Sequence, residues 1–395
     1  MVEWKKIDDI IISLKTGLNP RANFVLNTPE SKIPYITGKD IFENRINVSD
    51  KTDMIDKKAL RLINKRACLD DNLLLFASTG TGTVGRMAIV DKYNNDWGIS
   101  ETLYAIKTKD IISPYFLMYC LYSHNITKQF EPKISKGSVP HLKVVDLLNV
   151  QIPIPSLDEQ NRIVGILDTF TASIDNLKEQ IAQRRKQYEY YRCCLFSAGK
   201  WLEHRIGELT KVFSCPRVFK DQWQKSGVPF WRSSDIMSYH NGVINPRGEV
   251  YISQSLYEEL SSKTDKIKEG DILVTGGGSI GIPYLKKDNS PLFVKDADLI
   301  CIQKCSSIIP KYLYHYFLST DFKLYLKKIT HDATIAHYTI NHIKDTPIPL
   351  PPLSDQQRIV SILDTFEASI QNLEVQLSQR EKQYEYYRNK LLTFE

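Results

Sequence analysis

IVGILDTFTASIDNLKEQIAQRRKQYEYYR, residues 163–192, returns almost word for word at 359–388. Between 157–192 and 353–388, 25 of 36 aligned positions are identical, at a displacement of 196 residues. Read as a helix, the first copy places Ile163, Leu167, Phe170, Ile174, Leu177, Ile181, Arg184, Tyr188, Tyr191 and Leu195 at alternating steps of four and three. The second copy places Ile359, Leu363, Phe366, Ile370, Leu373, Leu377, Arg380, Tyr384, Tyr387 and Leu391 in the same way. That spacing is a heptad seam, and its return makes the chain a tandem duplication. Arg184 and Arg380 interrupt both seams at one place. Either their stems pack while their heads reach water, or they fix the register of the pair.

The 395 residues exceed one ordinary core and predict two or more domains. A hydrophobic share of 42% and a charged share of 25% are those of a folded chain. The net charge of +6 is compatible with nucleic acid without requiring it. Cys68, Cys120, Cys193, Cys194, Cys215, Cys301 and Cys305 form no C-x-x-C pair and follow no signal peptide, so reduced thiols in a cytoplasmic protein are expected, with neither disulfides nor structural zinc. The longest apolar runs fall far short of the roughly 20 residues that cross a bilayer, and no membrane partner is expected.

Working outward from the seam, the order is domain, helix, domain, helix: 1–155, 156–199, 200–351 and 352–395. Residues 1–155 mix short β-branched runs, IPYIT (33–37), NLLLFAST (72–79), MAIV (87–90) and TLYAIKT (102–108), with predicted helices at 54–64 and 114–123. This is an α+β pattern with a short-stranded, curved sheet plus helices. The second domain echoes it: IPYITGKDI (33–41) by VPFWRSSDI (228–236), DNLLLFASTGTGTVG (71–85) by GDILVTGGGSIG (270–281), SPYFLMYCLYS (113–123) by IPKYLYHYFLS (309–319). IPIPS (152–156) reads as a proline-punctuated linker. Asp158 and Ser354 are predicted N-caps, Ser354 forming a capping box with Gln357 and Ser156 with Glu159 competing in the first copy. Gly199 is the expected C-terminal stop of the first helix. Each seam needs a partner, and short loops around a compact second domain predict that the two helices pair with each other, antiparallel, in pseudo-two-fold symmetry.

The glycines are the loudest chemical signal. Gly80, Gly82 and Gly85 spell G-x-G-x-x-G, as do Gly276, Gly278 and Gly281, but a dinucleotide site needs the loop to open a helix. The continuations RMAIVD and IPYLKK read as strands, so a tight loop approaching a ligand fits better. Ser78, Thr79, Thr81, Thr83 and Arg86, with Thr275 and Ser279, are then candidates for phosphates or base edges, against the alternative that the glycines serve turn geometry alone. Lys39 and Asp40, and Arg232, Ser233, Ser234 and Asp235, follow a Pro-aromatic strand where the pattern turns outward. Arg232 suits guanine. Lys133, Lys136, Ser138 and His141 are matched before the second linker by His331, Thr334 and His337, without metal-ligand spacing. No D/N-P-P-Y/F, Walker A or H-E-x-x-H motif occurs.

IPIPSLDEQNRIVGILDTF and PIPLPPLSDQQRIVSILDTF, closing two divergent domains, resemble the specificity subunits of type I restriction-modification enzymes over essentially the whole chain. The resemblance implies two target recognition domains, each reading one half of a split double-stranded DNA sequence, with the helices as a ruler across the gap. It implies no catalysis and no cofactor in this chain. Two modification subunits bringing S-adenosylmethionine for adenine methylation, and restriction subunits with ATP and Mg, are the implied partners. By analogy Gln160, Arg162, Gln187 and Glu189, with their repeats Gln356, Arg358, Gln383 and Glu385, are the expected docking surface. A coiled-coil scaffold binding only proteins is the competing reading, and an enzyme using the glycine loops is disfavoured by the strands that follow them.

Overall fold

The computed structural model describes residues 2–91, 96–197, 201–243, 248–330 and 337–394, the side chain of Ala22 excepted. It divides into two compact units, residues 1–177 with 376–395, and residues 178–375. Gly199, His331 and Thr334 lie outside the described residues.

In the first unit an antiparallel four-stranded sheet runs Ile11–Thr16, Leu103–Thr108, Leu74–Ala77, Met87–Ile89. The second unit repeats that order with Val212–Ser214, Leu299–Ile302, Ile272–Thr275 and Pro283–Leu285. Each unit adds a three-stranded sheet, Asp53–Ile55, Ile33–Ile36, Gly98–Ile99 in one and Tyr251–Ile252, Val228–Trp231, Phe293–Val294 in the other. The α+β reading therefore holds, as several small sheets. Central strands such as Leu74–Ala77 and Ile272–Thr275 are buried on both faces, which is why they read as unbroken apolar runs. The strands foreseen at 33–37, 72–79, 87–90 and 102–108 are present.

Two local expectations need correction. The helix foreseen from 54 begins at Lys57, because Met54 belongs to the strand Asp53–Ile55 and Asp56 caps the helix by accepting from the Ala59 amide. The stretch IPIPS opens in a strand. Gln151–Ile154 pairs with Glu3–Lys6, and Pro347–Pro349 with Glu203–Arg205. Proline is tolerated because these ribbons have only two strands, where its missing donor need not break a ladder.

The long helices are Leu157–Ser197 and Leu353–Leu391. Ser156 caps the first by accepting from the Glu159 amide, displacing Asp158 from that role. The second starts at Leu353, so Ser354 lies inside its first turn and Pro352 O accepts the Gln356 amide instead.

Within each unit the helices run antiparallel. In the first, Ile163 and Leu167 share a core with Leu392, while farther along Phe170 stacks on Tyr387 at 5.4 Å and meets Tyr384 at 6.5 Å. In the second, Leu363 shares a core with Phe196, and Phe366 stacks on Tyr191 at 5.2 Å and meets Tyr188 at 6.2 Å. The arginines that break the seams cover these same rings, Arg380 lying 5.7 Å from Phe170 and Arg184 5.8 Å from Phe366. A cation over a ring of the facing helix rewards one register, and this favours the register reading of the two arginines.

Candidate nucleic-acid interface

In the first unit three separated segments meet. The Thr79 hydroxyl lies 2.7 Å from His141 Nδ1, and the Gly80 amide donates to Pro140 O at 3.0 Å, joining the glycine loop to the 133–141 segment. Thr83 packs beneath Gly38, where a Cβ would come within 3.1 Å of it, and Arg86 donates to Ile41 O at 3.2 Å, which adds the 37–41 turn. Gly80, Gly82 and Gly85 all have positive φ, and Met87–Ile89 follows as a strand, so the loop is a strand-to-strand turn and opens no helix.

The predicted residues divide by exposure. Thr81, Lys136 and Ser138 face outward, as does Lys133, which lies 3.9 Å from Asp146. Ser78 is wholly buried and donates to Thr102 O, so it serves the fold and cannot touch DNA as folded. Thr83 donates to Thr79 O, closing the loop. Lys39 spends its ammonium on Asp53 at 2.7 Å. Asp40 does not turn outward: it is buried, accepting from the Thr37 amide and hydroxyl and from Thr52 Oγ1.

The second unit brings its glycine loop to a matching place, with the Tyr338 amide donating to Gly276 O. His337 and Ser279 are exposed there. Thr275 is buried, donating to Ser279 O and accepting the Ile282 amide, so it too belongs to the fold. Ser233 donates to Asp298 O, and Ser234 lines a cleft with it. Arg232 is corrected most sharply. It is 7% exposed, makes a two-bonded pair with Asp235 (Nε–Oδ2 2.9 Å, Nη2–Oδ1 3.2 Å) and donates to Gly248 O at 2.7 Å. A guanidinium held this way supports the cleft and has no free fork for guanine.

That cleft, about 1350 Å³, is lined by Arg217, Phe219, Lys220 and Trp223 and by Gly277, Gly278 and Ser279 with Lys295, Asp296 and Asp298. A smaller cavity of about 500 Å³ adjoins it at Asp296 and includes His337 and Tyr338. Ala297, the left-handed residue between them, holds φ +57°, a strain that non-glycine residues rarely carry. The sequence reading missed Arg217, Phe219 and Lys220. Their signal was the alternation of exposed Arg217 and Phe219 around buried Val218.

The docking surface also divides. Gln160 and Gln356 are each 0% exposed. Gln160 donates to Ile111 O and Pro155 O and accepts the Ser113 amide, while Gln356 donates to Ser307 O and Pro351 O and accepts the Ile309 amide. Both are internal clasps and are withdrawn as docking residues. Gln187, Glu189, Gln383 and Glu385 are exposed, beside exposed Tyr190 and Tyr386. Arg162 is exposed and clamps Glu159 with two bonds, and Arg358 lies 3.6 Å from Asp355.

A polar cluster at the second long helix joins His315, Asp364 and Glu367, whose ligand-type atoms lie within 4.8 Å of one another. Lys311 Nζ is 2.6 Å from Asp364, and Tyr188 donates to Glu367 at 2.8 Å, so these carboxylates already have protein partners. At the equivalent place in the first unit Tyr119 donates to Asp168 at 2.6 Å. Burial, then that carboxylate, pushes the Tyr119 phenol far above its ordinary value.

Comparison with known proteins follows the duplication. Residues 1–184 and 199–380 each match the family described as type I restriction modification DNA specificity domain. A protein assigned as a type I restriction enzyme specificity subunit in Haemophilus influenzae is 28% identical over 411 residues, covering 100% of this chain and 96% of that one. A type I restriction enzyme specificity subunit of Escherichia coli is 29% identical over 265 residues, covering 62% of this chain and 63% of that one. Among solved structures, a chain of a type I R-M system shares the fold at TM-score 0.65 and 18% identity, over 99% of this chain and 97% of its own. Among the described residues no helix is long and apolar enough to cross a membrane.

Proposed function

Because the chain belongs to the type I restriction modification DNA specificity family, we propose that it recognises a split sequence in double-stranded DNA, one half through each of its two units. Residues 1–155 and 200–351 are the recognition domains, and 156–199 and 352–395 the spacers that set the gap. The observation that carries this reading is the duplication of a whole reading frame. Each unit has the same sheet order, the same buried glutamine clasp, and a glycine loop bonded to the segment that precedes its closing strand. Two equivalent frames with different outward side chains fit two unlike half-sites.

Thr81, Lys136 and Ser138 in the first unit, and Ser234, Ser279 and His337 in the second, are the contacts with the duplex. Exposed lysines there position the duplex through phosphates, and polar groups reach base edges. A helix of 41 residues is about 60 Å long, more than the roughly 34 Å of one duplex turn, so a gap of several base pairs is within its span. The chain supplies specificity and no catalysis. Two modification subunits carrying S-adenosylmethionine dock at Gln187 and Glu189 and at Gln383 and Glu385, and restriction subunits using ATP and Mg complete the assembly in the cytoplasm.

The test is to express the chain with its modification subunit and map methylated adenines across a genome by long-read sequencing. A motif of two short specified blocks separated by a fixed unspecified gap is expected. A continuous motif, or no methylation, refutes the reading, and binding of partner proteins without any sequence-selective DNA shift favours the protein scaffold.

A further inference from the structure

In the second unit Arg217 also lines the cleft, and where Arg232 is buried and paired with Asp235, Arg217 is exposed. Residues 217–219 alternate out, in, out. Val218 is 6% exposed and packs in a core with Cys215, Val228 and Phe230, which anchors the backbone. Phe219 is 57% exposed, and its amide donates to Gln222 Oε1, fixing the turn that follows. Arg217 lies on the same side, its guanidinium carbon 5.5 Å from the Phe219 ring centroid. Among the described residues no carboxylate pairs with it.

A guanidinium laid on an aromatic face keeps its N–H donors in the plane of the fork, where the stack does not consume them. The stack also restricts the long side chain before binding, so less freedom is lost when a partner is met. The acceptor pair that such a fork matches in duplex DNA is O6 and N7 of guanine in the major groove, a groove wide enough to admit a protein element. We propose that Arg217, supported by Phe219, is the guanine-reading residue of the second unit and sets one base pair of its half-site. This rests on the DNA-recognition reading above.

Among the described residues the first unit shows no counterpart. Its approach to the three-stranded sheet, Pro20–Asn23, is a short helix, and the Phe24 that follows packs edge-on against Tyr35 at 5.6 Å instead of facing out beneath an arginine. Removing Arg217 therefore affects one half of the target only.

The experiment uses the full chain with its modification subunit, and reads methylated adenines by long-read sequencing together with binding of the purified complex to duplexes changed at single base pairs. If the parent chain gives no split motif, the DNA-recognition reading fails and the assignment of Arg217 fails with it. Given a split motif, Arg217→Ala is expected to make one G·C position in one half-site degenerate, with roughly tenfold or greater loss of discrimination there, while the other half is unchanged. Phe219→Ala relaxes the same position less. Arg217→Lys keeps the charge but loses the planar fork, and relaxes that position with little change in affinity for nonspecific duplex. An unaltered motif in Arg217→Ala, or weaker binding spread evenly over all sequences as a phosphate contact gives, overturns the assignment. If Arg217→Ala abolishes methylation altogether, Arg217→Lys decides: an unaltered motif in that variant also overturns it.

Discussion

Gln356 carries the most exposed prediction of the fold. Its carboxamide, 0% exposed, donates to Ser307 O at 3.0 Å and Pro351 O at 2.9 Å and accepts the Ile309 amide at 2.8 Å, tying the start of the second long helix to the loop before Pro310–Phe317. Gln356→Ala leaves one amide and two carbonyls without these partners. A buried group left unsatisfied costs about 1–3 kcal/mol, the orphaned donor most. Two of the three counted at the lower end give a loss of about 3–5 kcal/mol, a large part of the 5–15 kcal/mol typical of a domain. Urea unfolding of the full chain, with hydrogen exchange read at the Ile309 amide, measures it. Gln357→Ala, one residue on and exposed, stays within about 0.5 kcal/mol of the parent. Gln160→Ala produces the matching loss in the first unit. If Gln356→Ala unfolds within about 1 kcal/mol of the parent and only its binding to a modification subunit weakens, the clasp argument is wrong and the residue belongs to the docking surface.

Acid should weaken the second unit through His315. Burial holds this imidazole below its ordinary value of 6.5, overriding Glu367 and Asp364, which pull it up, while Lys311 adds to the lowering. Between the lowered folded value and 6.5 the unfolded chain takes a proton that the folded one refuses, so stability is complete above that window and declines as pH falls through it. Thermal melts from about pH 7 to about pH 5 should show the decline, and His315→Asn should flatten it; an unchanged slope in the variant removes His315 as the cause. Gly276 and Gly278 separate two uses of glycine. A Cβ at Gly276 would sit 2.6 Å from Ala297 O and 2.8 Å from Tyr338 O, whereas one at Gly278 meets nothing and faces only its φ of +73°. Gly278→Ala is expected to cost about 1–2 kcal/mol and Gly276→Ala clearly more, measured by urea unfolding, and equal costs contradict this account.

The helices were legible because a heptad repeated across 196 residues admits few other readings, and the short strands because their β-branched runs are bounded by turn chemistry. The roles of matched polar residues were not legible from matching alone. Gln160 and Gln187 both return in the second copy, yet one is buried and the other exposed, and the difference lies in carbonyls 49 and 5 residues from Gln160. Arg232 illustrates a signal present but unread. Asp235 stands three residues on, the spacing at which a helix start closes a two-bonded pair. The outward arginine fifteen residues earlier, Arg217, has Lys220 at that spacing and no such acid. IPIPS hid its strand because proline ordinarily argues against one, and only the two-stranded ribbon with Glu3–Lys6 makes the exception.

The contrast between like and unlike positions has a physical cause. Gln160 closes on Ile111 O, Ser113 N and Pro155 O, and Gln356 closes on the equivalent backbone atoms of Ser307, Ile309 and Pro351. A clasp made entirely to backbone is indifferent to the side chains of the loop it holds, so Ile111 and Ser307, or Ser113 and Ile309, can differ without cost to it. The join of the glycine loop to its neighbour has a backbone bond in both units, Gly80 to Pro140 in one and Tyr338 to Gly276 in the other, with the Thr79–His141 side-chain bond added in the first. The frame can therefore stay fixed while outward residues change, as they do between Pro20–Asn23 in one unit and the Arg217–Phe219 pair in the other. If the two units read different half-sites, as proposed above, backbone bonds of this kind serve the chain, since a clasp made only through loop side chains would couple the choice of target to the stability of the fold.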